Sequence, residues 1–142
     1  MDRRYRSGAL AYVVALGCFL ALDACWLGIM GPRLYRPRIG ALMAEQVDWP
    51  AAALFYLVYI TGLTVLAIAP ALRPPHAKAA LARGALFGLV AYATYDLTNQ
   101  ATLAGWPWLV TAADLAWGTL ASGAAAWATV RIVRGGGRGS RA

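Results

Sequence analysis

The sequence predicts an all-α protein, an integral membrane four-helix bundle, and three observations carry that expectation. Four long apolar stretches follow one another along the chain, only 13% of its residues are charged, and the basic residues gather between the stretches and at the ends. An ordinary soluble domain has about 25% charged residues, so this chain lacks the polar surface to cover itself in water. Its 142 residues, 61% of them apolar, accommodate one domain. Such hydrophobicity excludes intrinsic disorder. The placement of the basic residues excludes a nucleic-acid-binding domain, whose Lys and Arg share a face of a folded polar surface.

A bilayer core of about 30 Å needs about 20 apolar helical residues. The first stretch runs over 8–31 and is interrupted only by Asp23. The second, 51–72, follows Trp49-Pro50 and has Pro70 near its end. The third, 82–103, is the weakest, because it finishes in Asp96-Leu97-Thr98-Asn99-Gln100. The fourth, 107–130, opens on Pro107, which suits a first helical turn. Residues 1–134 therefore read as a single four-span domain, and the Gly- and Arg-rich 135–142 as a disordered basic tail. In the first connector Ile39, Leu42, Met43 and Gln46 follow helical spacing, which leaves a short interfacial helix and an irregular loop both open.

Leu22-Asp23-Ala24-Cys25 after a basic start has the outline of a lipoprotein signal. The Asp and the apolar run continuing to Met30 favour an uncleaved helix instead. Cys18 and Cys25 stand about 10 Å apart along that helix, too far to bridge, and read as small packing residues.

Arg3, Arg4, Arg6, Arg73, Lys78, Arg83, Arg131, Arg134, Arg138 and Arg141 fall on one side of a four-span chain, and only Arg33, Arg36 and Arg38 on the other. The positive-inside rule then places both termini in the cytoplasm. Trp26, Trp49, Trp106 and Trp108 fall near the outer boundary, as an aromatic belt does.

Three of the six acids lie inside the apolar stretches. A carboxylate at the centre of a membrane helix costs about 2.5–3.5 kcal/mol on insertion scales, so each needs a reason. At 1.5 Å per residue Asp23, Asp96 and Asp114 all lie roughly 10–12 Å below the outer boundary, and Tyr56 and Tyr59 reach the same layer. Gly84, Gly88, Tyr92, Asp96 and Gln100 form one stripe at intervals of four, with Asn99 beside it. Thr111, Asp114, Gly118 and Ala121 form a second stripe, small enough for close helix contact. Asp-x-x-Trp occurs twice, at Asp23/Trp26 and Asp114/Trp117, and Trp-Pro twice, which hints at two parallel helix-hairpin repeats.

No Lys, Arg or His lies at the depth of these acids, so hydrogen bonds from Tyr, Thr, Asn and Trp, or protonation of a carboxyl, must hold them there. The single His76 falls in a connector, which excludes a His-based metal site or relay. No Gly-rich phosphate loop, Cys cluster or nucleophile motif appears, and nothing assigns a cofactor. Three Asp could hold a hard cation, but their spacing does not favour a metal over a proton.

Leu22-Asp23-Ala24-Cys25-Trp26-Leu27-Gly28, Asp48-Trp49-Pro50 with Phe55-Tyr56, Gly88 to Asn99, Gly105-Trp106-Pro107 and Asp114 to Gly118 together resemble a family of bacterial membrane proteins, domain of unknown function 2177. The resemblance spans about residues 10–123, with Tyr95-Asp96-Leu97-Thr98-Asn99 its most specific segment. It implies a four-span inner-membrane protein and carries over no activity.

The expected site therefore joins Asp23, Asp96 and Asp114 with Tyr56, Tyr59, Tyr92, Asn99, Gln100, Thr111, Trp26 and Trp117. It would bind or transport a proton, a cation or a small polar ligand. The competing expectations are a non-catalytic membrane scaffold or accessory subunit, in which the polar layer serves packing, and a lipid-modifying enzyme. The lipid bilayer is the expected partner, a homodimer or a membrane-protein partner is allowed, and nucleic acid is excluded.

Overall fold

The computed structural model describes residues 3–72 and 76–136, and among them the chain is helical with short connectors. Helix α1 spans Arg3–Met30. A π-helical turn over Gly31–Tyr35 then leads into α2, Arg36–Ile39, and a 3-10 turn over Gly40–Leu42. The helical path thus continues well past the expected end at residue 31. Pro32 falls inside this continuous helical path, where it cannot donate to the turn before it, and the path widens into the π segment at that point. Helix formation in the first connector is confined to its beginning, and residues 43–48 are irregular.

Helix α3, Trp49–Leu63, starts on Asp48, whose carboxylate accepts from Ala51 N at 3.0 Å, followed by Pro50 in the first turn. It passes through a second π-helical turn, Thr64–Ile68, into α4, Ala69–Ala71. Helices α5, Ala77–Thr102, and α6, Trp108–Gly136, form a hairpin. Gly105 closes it with φ +77°, a conformation that side chains disfavour. Of the tail expected from 135 onward, Gly135 and Gly136 continue α6, and 137–142 lie outside the described residues, as does Arg73.

The four long helical paths alternate in direction. By length and composition Gly8–Leu42 and Trp49–Ala71 are apolar enough to cross a membrane. Helices α5 and α6 match them in length but are diluted by Gly, Thr, Ser and Asp, because these two bury their faces against each other. Along α1 the positions Ala11, Ala15, Phe19 and Asp23 recur every four residues and are all buried. They pack toward α6, Tyr59, Ile60 and Leu63, where the Phe19 and Tyr59 rings lie 4.8 Å apart.

Beside large apolar residues such as Phe19, Ile60 and Leu63, the interior holds Ser122, Thr129 and Asp96, each with no exposed surface. Leu54, Val58, Val65, Leu66, Leu86, Val90 and Leu120 point outward. An outer surface so rich in large apolar side chains is unlike that of a water-soluble bundle. The two hairpins are also unlike. Helices α5 and α6 touch along most of their length, while α3 meets α1 sparsely and is exposed along most of its first turns before Tyr59.

Candidate functional site

The site is set by the register between α5 and α6. A Cβ on Gly84 would stand 2.6 Å from the Ser122 carbonyl oxygen, and one on Gly88 would collide with the Gly118 carbonyl. One turn further, the Tyr92 ring lies against Gly118. Near the hairpin loop Thr111 Oγ1 donates to Gln100 Oε1 at 3.2 Å. The stripe on α5 thus runs against the stripe on α6, and the step between Tyr92 and Gln100 sets Asp96 opposite Asp114.

A closed ring of hydrogen bonds caps this pair. Gln100 Nε2 donates to the Trp106 carbonyl at 2.9 Å, Trp106 Nε1 donates to Thr111 Oγ1 at 3.1 Å, and Thr111 returns to Gln100. Beneath it the two carboxyls differ. Asp114 Oδ1 accepts a short bond from the Tyr35 hydroxyl, which in turn accepts from Trp26 Nε1 at 2.7 Å. Asp96 has no exposed surface, and neither of its carboxyl oxygens meets a donor. As carboxylates, Asp96 and Asp114 have no proton to offer each other. A proton between them would supply the missing O–H···O bond.

Asp23 lies across the bundle. Its Oδ2 accepts from the Tyr56 hydroxyl at 2.6 Å and its Oδ1 from Trp117 Nε1 at 3.4 Å. Trp117 stacks on Trp26 with centroids 4.5 Å apart and planes 6° apart. The two Asp-x-x-Trp segments therefore meet, and their stacked indoles join the Asp23 centre to the Tyr35–Asp114 centre. Tyr59 lies deeper, sharing a 2.7 Å hydrogen bond with Ser122, and meets Tyr92 edge-on at 6.2 Å. Asn99 is half-buried beside the stripe.

A cavity of about 640 Å³ opens between α1, α3, α5, α6 and the Tyr35 segment. Asp23 and Asp114 line it, with Trp26, Tyr35, Tyr56, Tyr59, Tyr92 and Trp117. Gln100 and Thr111 stand outside it in the cap, and Asp96 lies behind Asp114. No Lys, Arg or His lines this cavity. Among the described residues no three His, Cys, Asp or Glu side chains converge to hold a metal ion. The three aspartates form a pair and a separate third, joined by aromatic groups.

Tyr35, Trp106 and Ser122 hold the site together and were not foreseen as parts of it. Tyr35 arrives because the π turn keeps the chain helical beyond Pro32. The signal for it was the apolar spacing that continues through Met30, Leu34 and Ile39, which pack on Trp106 and Val110. Ser122 was overshadowed by Ala121, the neighbouring small residue on α6.

No curated protein and no solved structure matches this chain. A family model described as a predicted membrane protein, domain of unknown function 2177, matches residues 8–131, and the chain belongs to that family.

Proposed function

We propose that this is a multi-pass protein of the bacterial inner membrane, with both termini cytoplasmic, whose buried carboxyls bind a cation, a proton included, reached from the outer side through the cavity. The distribution of basic residues supports the orientation. So does Arg131, stacked 5.7 Å from the Trp127 ring centroid near the end of α6, as at an inner interface.

The observation that carries the reading is Asp96, fully buried, without a donor and opposite a second carboxyl. A polar layer that served packing alone would satisfy its members, since an unsatisfied buried polar group costs about 1–3 kcal/mol, more when charged. Packing does account for the Gln100–Trp106–Thr111 ring, in which every bond closes, and that ring supports the scaffold reading for the cap alone. It does not account for Asp96. Two facing carboxyls in a low-dielectric interior hold one proton between them, because both cannot remain ionised at close range. Asp114 lines the cavity and is the route by which that proton exchanges.

Infrared spectroscopy of the purified full-length protein, swept in pH, tests this. The C=O stretch of a protonated carboxyl should be present in wild type, vanish in Asp96→Asn and Asp114→Asn, and persist in Asp23→Asn. A band indifferent to positions 96 and 114 would sink the proposal.

A further inference from the structure

We infer that the cavity binds an organic ammonium group, held between aromatic walls and the Asp23 and Asp114 carboxylates; this rests on the reading above that these carboxyls bind a cation.

Nine of the sixteen residues that line the cavity are aromatic, including five of the chain's seven Tyr and three of its six Trp. Nine of the chain's sixteen aromatic residues thus meet at one cavity, while Trp49, Trp108 and Trp127 lie on the outer surface. The remaining lining is aliphatic apart from two acids, and no basic residue offsets them. Walls of this kind disfavour a small hard cation, which needs six or more oxygen ligands or retained water. The same walls suit a weakly hydrated alkylammonium, because the negative ring faces attract the cation while its methyl or methylene groups bury against carbon. Aromatic cages of this composition select quaternary and substituted ammonium groups.

The carboxylates have capacity for such a guest. Asp23 and Asp114 each accept hydrogen bonds from Tyr or Trp, yet a carboxylate has about four acceptor positions. The donors that hold them are themselves ring hydroxyls and an indole, so the acids are fixed in place with aromatic groups around them. At about 640 Å³ the cavity falls in the ordinary range for a small molecule or a lipid headgroup. Helix α3 is exposed on both sides of Tyr56, at Phe55, Leu57 and Val58, so the wall on that side is thin. A free amine or the headgroup of a lipid could therefore supply the ammonium.

The test uses full-length protein in nanodiscs of phosphatidylglycerol, which carries no ammonium, titrated calorimetrically with choline and with its uncharged isostere 3,3-dimethylbutan-1-ol. Choline should bind at least about tenfold more tightly than the isostere. Trp117→Leu should weaken choline about tenfold, whereas Trp117→Phe, which keeps one aromatic ring while losing the fused pyrrole ring and its N–H, should weaken it less. The Phe variant also guards against a folding defect in the Leu variant. Equal affinity for choline and the isostere, or choline binding indifferent to Trp117→Leu, would overturn the inference.

Nanodiscs doped with phosphatidylcholine decide the source. Competition with choline identifies a lipid headgroup as the guest, and unaltered choline affinity identifies a free cation. The infrared band of the Asp96–Asp114 pair separates the two proposals. Loss of ammonium selectivity with the band intact removes the ligand class alone, while absence of the band removes the carboxylate reading beneath it.

Discussion

The α5–α6 hairpin is two different interfaces on one pair of helices. Away from the loop, Gly84 and Gly88 bring the backbones of α5 and α6 together against Ser122, Ala126 and Gly118, with no space for even one added carbon. Toward the loop the same register carries Tyr92, Asp96 and Gln100 against Gly118, Asp114 and Thr111, and a cavity opens beside them. The first region trades side chains for close van der Waals contact, which is the main attraction available between helices in an apolar surrounding. The second keeps polar groups that are hard to bury. The tight half sets the register and the open half uses it. Asp96 can sit opposite Asp114 without a donor because the glycines below hold the helices in place.

Breaking the tight half should therefore have the largest effect. Gly88→Leu places a branched side chain where a single Cβ already collides with the Gly118 carbonyl. Backbone cannot yield as a flexible side chain can, so we expect a loss of about 3 kcal/mol or more. It should be read as lost detergent-stable protein and a lowered thermal unfolding midpoint. An unchanged midpoint would mean that the glycine contact does not set the register.

Much of this hairpin could be read in the residues. Spacing by four placed Gly84, Gly88, Tyr92, Asp96 and Gln100 on one face, because an antiparallel pair buries the same stripe along its whole length. Depth arithmetic brought the acids to a common level, since rise per residue is fixed in any helix. Two things were not legible. The first apolar stretch was expected to finish at residue 31, yet a π turn over Gly31–Tyr35 carries the helix on and brings Tyr35 inward onto Asp114. Nor could a one-dimensional pattern tell that Asp23 pairs with Tyr56 while Tyr59 turns to Ser122. Tyr56 and Tyr59 stand three apart on α3 and both face the bundle. Which partner each meets depends on the tilt of α3, and no local signal encodes that.

The open half can be sharpened at Tyr35, the hydroxyl that links Trp26 to Asp114. Tyr35→Phe keeps the ring and removes both hydrogen bonds, leaving an indole N–H and a carboxylate oxygen without that partner. We expect a stability loss of about 1–2 kcal/mol and an altered fluorescence of Trp26. Thermal unfolding and emission spectra measure both. A variant as stable as wild type would show that the hydroxyl is not a fixed part of the carboxyl network.

The smallest effect separates two kinds of polarity at the outer end of α5. Thr94, Thr98 and Thr102 each donate to the backbone carbonyl four residues earlier, at 2.8, 2.6 and 2.7 Å, and all three face outward. Their hydroxyls are satisfied within the helix and ask nothing of a neighbour. Gln100 lies in the same stretch, but both ends of its amide are committed to α6 and the loop before it. Thr98→Val should therefore change stability by no more than about 0.5 kcal/mol, the range of an exposed substitution. Gln100→Leu opens the cap over Asp96, strands the Trp106 carbonyl and should lose about 1–2 kcal/mol. Comparing the two unfolding midpoints tests whether polar composition or polar connection distinguishes the open half. Equal losses would favour composition, and a loss confined to Gln100 would favour the connected ring.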